Sequence, residues 1–268
     1  MTGHQIDTLD VAPPRMTVEV PEMADVETSS EDYARRFAGP VGRYFLKVQE
    51  EITLRLLADC SDGSPRARVL DVGGGHAQLA PALVRSGHQV TVAGSRAVCR
   101  ERLDRELPAG SFQFQACDLL DLPYPDRSFD VVLSFRLLAH EERWRRLIAE
   151  LARVARRAVI VDYSDTRSFN ALYGPLFSWK KKVEGNTRTF LTFRPGEVKA
   201  ELARHGFGRP AEVRQFFVPM VVHRALGKAL RTAAPSRLLE AAGSGLGLTR
   251  ALGSPVILRV EREESIEL

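Results

Sequence analysis

Asp71 stands two residues before three consecutive glycines, Gly73, Gly74 and Gly75, in the run R-A-R-V-L-D-V-G-G-G-H-A-Q-L over residues 66–79. An apolar β-branched stretch that turns through glycines into a helical pattern brings bare backbone N–H groups and a helix start up to a ligand. In α/β folds that is how nucleotide-like cofactors are held, at the carboxyl ends of parallel strands. Two further places carry proton-acceptor chemistry. His140, in R-L-L-A-H-E-E-R-W over residues 136–144, follows an apolar strand pattern, and an imidazole with an unperturbed pKa near 6.5 suits a general base. Asp162 and Tyr163 close the next strand pattern, again where such sheets place ligands. The structural alternatives are a histidine that packs at a helix start and an acid that caps a turn.

The elements that must position these groups follow from periodicity. Residues 69–72, 89–93, 112–116, 129–135 and 158–162 read as strands, and residues 78–85, 97–107 and 142–155 as the intervening helices. The 129–135 stretch is almost wholly apolar, as a strand covered on both faces must be. This alternation predicts an α/β, doubly wound, mostly parallel seven-stranded sheet. Two of its strands come from residues 212–218 and 255–260, after a helix at 197–205. Residues 29–60 read as N-terminal helices, with Phe45, Val48, Ile52 and Leu56 on one face. Residues 1–28 lack either period and are expected to be a mobile tail, leaving 29–268 as one domain with its core at 66–165.

Three cofactor readings compete for the glycine turn. A phosphate-gripping loop needs Gly-Lys-Ser/Thr, and His76-Ala77-Gln78 follows instead. A dinucleotide fingerprint needs a small residue where Gln78 sits and an acid at Gly94. The third is a fold for S-adenosylmethionine, in which an acid precedes G-x-G and there is no phosphate to grip. The sequence resembles the class I S-adenosylmethionine-dependent methyltransferases, in particular their small-molecule, quinone-biosynthesis-like branch, over about residues 40–165. The resemblance rests on V-L-D-V-G-G-G-H-A (69–77), C-D-L-L-D-L-P-Y-P-D-R-S-F-D-V-V-L-S (117–134), and A-E-L-A-R-V-A-R with R-A-V-I-V-D (149–162).

The resemblance implies S-adenosyl-L-methionine as cofactor, with Asp71, Gly73, Gly74 and Gly75 along its methionine and ribose side. It implies Asp118 on the adenine amino group, Leu119 behind the ring, and Phe135 and Arg136 near the transferable methyl. One departure concerns the ribose. The family closes its second strand with an acid, and this chain has Ala93-Gly94-Ser95. Gly94 backbone, Arg96 or the Ser95 hydroxyl is left to supply those contacts, a neutral hydrogen bond being worth about 1 kcal/mol net.

Beyond strand five, residues 166–196 are expected to form a helical acceptor-side insertion. It interleaves Phe169, Tyr173, Phe177, Trp179, Phe190 and Phe193 with Arg167, Lys180, Lys181, Lys182 and Arg188. Such a mixture suits a small apolar acceptor with an anionic or polar handle; a packed helical cap with a wet basic face is the alternative. The stretch 223–250 is basic, with leucines at helical spacing interrupted by Pro235. Packing over the sheet is favoured there over contact with an anionic membrane surface.

Composition excludes several classes. Apolar residues make up 44%, charged residues 27%, and the net charge of +4 is mild, so no nucleic-acid partner is demanded. Cys60, Cys99 and Cys117 have neither metal-ligand nor disulfide spacing; no metal is expected, and a cytoplasmic location is. Base-amino and carbon-five nucleic-acid methylases lack their signatures here: Ser134-Phe135-Arg136-Leu137 follows strand four, and there is no Pro-Cys dipeptide. The leading expectation is methyl transfer to a small molecule by in-line displacement. A ribose-hydroxyl nucleic-acid methyltransferase and a non-catalytic cofactor-binding protein of the same fold are the alternatives.

Overall fold

The computed structural model describes residues 23–60, 66–168 and 190–263. Three helices lead in: α1 (Ala24–Thr28), α2 (Glu31–Arg35) and α3 (Gly39–Asp59). Ser30 caps α2 by accepting the Tyr33 N–H at 3.2 Å, and Pro40 starts α3 where its missing N–H costs nothing. The expectation of a mobile tail through residue 28 is corrected at its end. Met23, Ala24, Asp25 and Thr28 are all buried, because α1 has the sheet's strand ends to pack on.

The sheet then builds as predicted. β1 (Arg68–Val72), β2 (Gln89–Gly94), β3 (Gln113–Ala116), β4 (Phe129–Ser134) and β5 (Ala155–Tyr163) are parallel, with α4 (Ala80–Arg85), α5 (Glu101–Glu106) and α6 (Trp144–Val154) between them. After α7 (Glu197–Arg204), β6 (Phe207–Phe216) and β7 (Ser254–Arg262) form an antiparallel pair, with β7 also antiparallel to β5. The order is β3-β2-β1-β4-β5-β7-β6. The chain runs outward from β1 to β3 and returns at β4, so the crevice between the ends of β1 and β4 is the topological switch point where such sheets hold ligands.

Alternation along β1 feeds two apolar layers. Leu70 and Val72 join Trp144, Leu147, Ile148 and Leu202 on the α6–α7 side, and Val69 joins Leu56, Leu57, Leu79 and Leu83 on the α3–α4 side. All of these except Leu56 and Trp144 are at most 1% exposed, and burial of each large side chain stabilises the fold by about 1.5–3 kcal/mol. The predicted helix over 223–250 resolves into α8 (Met220–Leu230), α9 (Ala234–Gly245) and α10 (Leu248–Leu252). Most of its leucines do not pack over the sheet: Leu226 is half-buried, but Leu230, Leu238 and Leu239 are exposed. Most of the expected acceptor-side insertion, including Phe169, Tyr173, Phe177, Trp179, Lys180, Lys181, Lys182 and Arg188, lies outside the described residues. Among the described residues no helix is long and apolar enough to cross a membrane, and no group of His, Cys, Asp and Glu is placed to hold a metal ion.

Candidate functional site

β1 ends in the glycine turn. Gly73 has φ +77, a left-handed conformation that a Cβ would strain, and its N–H donates to Ala93 O at 2.8 Å, tying the turn to β2. A single 3-10 turn, Gly74–His76, follows. Asp71 is fully buried beneath it: a Cβ on Gly74 would stand 2.3 Å from its Oδ2. Among the described residues neither carboxylate oxygen of Asp71 has a hydrogen-bond partner, and desolvation pushes its pKa up to about 7. A buried acid with no donor is costly unless a ligand, water or proton satisfies it.

At the end of β2 the chain leaves no room for an acid. A Cβ on Gly94 would lie 2.9 Å from Cys99 Cβ and 3.0 Å from Phe114 Cζ. A carboxylate arrives nonetheless, from α1. Ser95 donates both its N–H (2.7 Å) and its hydroxyl (2.6 Å) to Asp25, and Cys99 Sγ stands 3.3 Å from the same carboxylate. Leu119 is fully buried in one apolar cluster with Met23 and Ala24, while half-buried Asp118 accepts the Leu120 N–H at 2.9 Å. The expected ribose contact at Ser95 is thus engaged by the protein itself.

The second half of the site is a cavity of about 260 Å³ beyond the ends of β4 and β5. His140, Asp162, Tyr163 and Arg136, all singled out in sequence, line it. Asp162 accepts the Arg136 N–H at 2.6 Å and the Gln49 amide at 3.1 Å, and Gln49 in turn accepts from Gln78. Burial raises the Asp162 pKa to about 6 against the pull of these donors and of the Arg136 cation. His140 ends a 3-10 turn with its ring packed edge-on to Phe190, 5.5 Å between centroids. Tyr163 packs against Phe193, and burial raises its phenol further from ionisation. Arg136 adopts φ +60, a strained conformation for a side-chain-bearing residue. Its guanidinium lies 4.2 Å from the Phe37 ring centroid and 5.4 Å from that of Tyr33.

Phe135, expected near the transferable methyl, does not line the cavity. It is fully buried in the apolar layer with Leu79 and Leu83, so only its neighbour Arg136 reaches the cavity. Sequence reading missed Asp25, Tyr33, Phe37 and Gln49. A signal existed for Gln49, a polar residue four positions after Phe45 on the buried stripe of α3; none marked Asp25.

A methyltransferase-domain family matches residues 70–161. The chain is 36% identical over 102 residues to the O-methyltransferase cnsE of Penicillium expansum, covering 35% of this chain and 37% of that protein. It is 32% identical over 143 residues to the phthiotriol/phenolphthiotriol dimycocerosates methyltransferase 1 of Mycobacterium ulcerans, covering 51% of this chain and 49% of that one. The matched segments thus span half or less of these relatives. The fold is similar to that of magnesium protoporphyrin IX methyltransferase from Synechocystis PCC 6803, solved with bound SAH. The TM-score is 0.56 at 17% identity, over 86% of this chain and 92% of that one.

Proposed function

We propose, from the premise that residues 70–161 are a class I S-adenosylmethionine-dependent methyltransferase domain, that this protein methylates a small apolar acceptor. The observation that carries the reading is one of placement. A glycine turn over an unpartnered buried acid and an aromatic-lined cavity open at neighbouring strand ends of one sheet. The unpartnered Asp71 carboxylate fits a cationic donor. Gly73, Gly74 and Gly75 would run along the cofactor, Gly94 and Ser95 would meet its ribose, and Asp118 and Leu119 its adenine. When bound, the cofactor supplies a methyl group on a sulfonium, open to in-line displacement.

The chain's own residues then have three tasks. Phe37, Phe45 and Phe216 wall the cavity with apolar surface and keep water from the acceptor. Arg136, a cation among aromatic rings, supports an acceptor with an anionic or polar handle. Asp162, with a pKa of about 6, takes a proton from an acceptor hydroxyl or ring carbon near neutral pH, with His140 as the second candidate and the Tyr163 phenol beside them. An acceptor that arrives as a carboxylate needs no base.

The test is calorimetric titration with S-adenosylmethionine, followed by methyl-transfer assays on apolar hydroxylated and carboxylated acceptors. Binding in the micromolar range and turnover are expected. Asp162→Asn lowers kcat by roughly 10²–10⁴-fold for a hydroxyl acceptor and leaves cofactor affinity nearly unchanged. Cofactor binding without turnover on any acceptor favours the non-catalytic reading; absence of binding removes the proposal.

A further inference from the structure

The helical pair α8–α9 buries polar side chains and leaves several of its large apolar ones exposed. Among its described side chains the buried polar ones are His223 and Ser236 (both fully buried) and Glu240 (5% exposed), with Gly243 buried beside them, and His223 Nε2 stands 2.8 Å from Glu240 Oε1. Met220 packs on the Val41–Phe45–Phe216 cluster and Leu226 is half-buried, but five large apolar side chains face outward: Leu238 is 72% exposed, Leu246 just past α9 76%, Leu230 55%, and Val222 and Leu239 42% each. Five large apolar side chains left exposed within residues 222–246 mark a candidate contact site. Charge indicates which kind. Arg224, Arg231, Arg237 and Arg250 are all exposed around these leucines, and Glu240, already inside, is the only acid between residues 220 and 252.

Apolar side chains set among cations with no exposed acid match the boundary between acyl chains and anionic headgroups. The placement agrees. Val218, Pro219 and Met220, which lead into α8, and Leu252, which ends α10, line the acceptor cavity, so a bilayer at this face adjoins the cavity wall. We propose that α8–α9 dock the protein peripherally on an anionic lipid surface.

Co-sedimentation of the full chain with phosphatidylcholine vesicles, with and without phosphatidylglycerol, tests this without reference to activity. Binding to the anionic vesicles is expected, weakened by added salt. It should fall at least roughly tenfold in Leu238→Asp/Leu246→Asp, which alters only exposed positions and keeps the native circular dichroism. Equal binding by the variant, or none by the native chain, overturns the proposal. So does a native dimer that the variant converts to monomer, since the face then pairs with a second copy.

A separate observation concerns α1, and it rests on the cofactor reading above. Three features of the cofactor groove are each engaged by residues 23–29. Ser29 Oγ and Asp25 Cβ lie 2.3 and 3.6 Å from where a Cβ would stand on Gly75 and Gly73. Asp25 takes both Ser95 donors, and Met23 and Ala24 share the apolar cluster of Leu119. We infer that α1 is a self-contained plug, latched by Asp25 on Ser95, which must leave before the cofactor enters.

Hydrogen exchange and calorimetry on the full chain decide it. S-adenosylmethionine should speed exchange in residues 24–29, and Asp25→Ala should do so without ligand while tightening cofactor binding roughly tenfold. Weaker binding by Asp25→Ala overturns the plug and makes Asp25 a cofactor ligand. Unchanged exchange in the variant also overturns it. If the variant frees α1 yet neither protein binds the cofactor, the latch stands and the cofactor reading fails.

Discussion

Asp71 is a fully buried acid whose oxygens have no hydrogen-bond partner among the described residues. Its carboxyl is pushed up to about 7 by burial, against an unperturbed value near 4. Between those values the folded protein holds a proton that the unfolded chain has released, so stability falls as pH rises from about 4 to about 7 and stays low above that. Asp162, raised to about 6, adds a loss of the same sign over a narrower window. Asp71→Asn removes the larger loss. Scanning calorimetry should find it close to the native protein near pH 4 and more stable at pH 8, by up to about 4 kcal/mol at 1.36 kcal/mol per unit. Parallel curves for the two proteins would contradict an uncompensated acid. A bound cation has the opposite effect on the native chain, so cofactor affinity should rise between pH 6 and 8, and that rise should vanish in Asp71→Asn. Asp71, His140 and Asp162 could be singled out because positions at and just beyond strand ends follow from local pattern. Asp25 was not, since nothing local ties residue 25 to residue 95.

At the scale of elements, the helices beside the cavity are held by a polar clasp as well as by apolar packing on Val41, Phe45 and Phe216. Glu240 of α9 accepts the N–H groups of Phe217 and Val218 at 2.9 Å each and pairs with His223 of α8. One buried carboxylate thus joins α8, α9 and the end of β6. Glu240→Ala leaves those donors unsatisfied and should cost about 3 kcal/mol or more, while Glu240→Gln, which keeps an acceptor, should cost less. Urea midpoints at neutral pH read the order, and an unchanged midpoint for Glu240→Ala shows that the clasp carries no weight. The period of 223–250 correctly announced helix, with Pro235 inside the first turn of α9. It did not reveal which face turns inward, because leucine spacing is the same on a core stripe and on an exposed one.

For the whole molecule, the sheet order and its switch point bring the glycine turn and the cavity together from segments far apart in the chain. Ligand linkage follows. S-adenosylhomocysteine at a hundredfold over its Kd should stabilise the fold by about 2.7 kcal/mol less the cost of releasing α1. That corresponds to a Tm rise of roughly 5–10 °C before the α1 cost is deducted. Differential scanning fluorimetry across ligand concentration checks this, and a Tm that ignores the ligand counts against the cofactor reading. The antiparallel β6–β7 pair also belongs to this scale. Its strands were visible as apolar runs, but their direction was not.

Sequence by itself determined the alternating strands and helices, the glycine turn with its acid, and the strand-end acids and histidine. These depend on periods of two and 3.6 and on backbone conformations that only certain residues adopt. Tertiary structure alone decided that α1 packs on Ser95 and the glycine turn, that Asp25 supplies a carboxylate where Gly94 leaves no room for one, that Phe135 turns into the core, and that Leu230, Leu238 and Leu239 face outward. Each of these depends on which distant surface an element meets, and burial is a property of the packed chain, not of spacing along it.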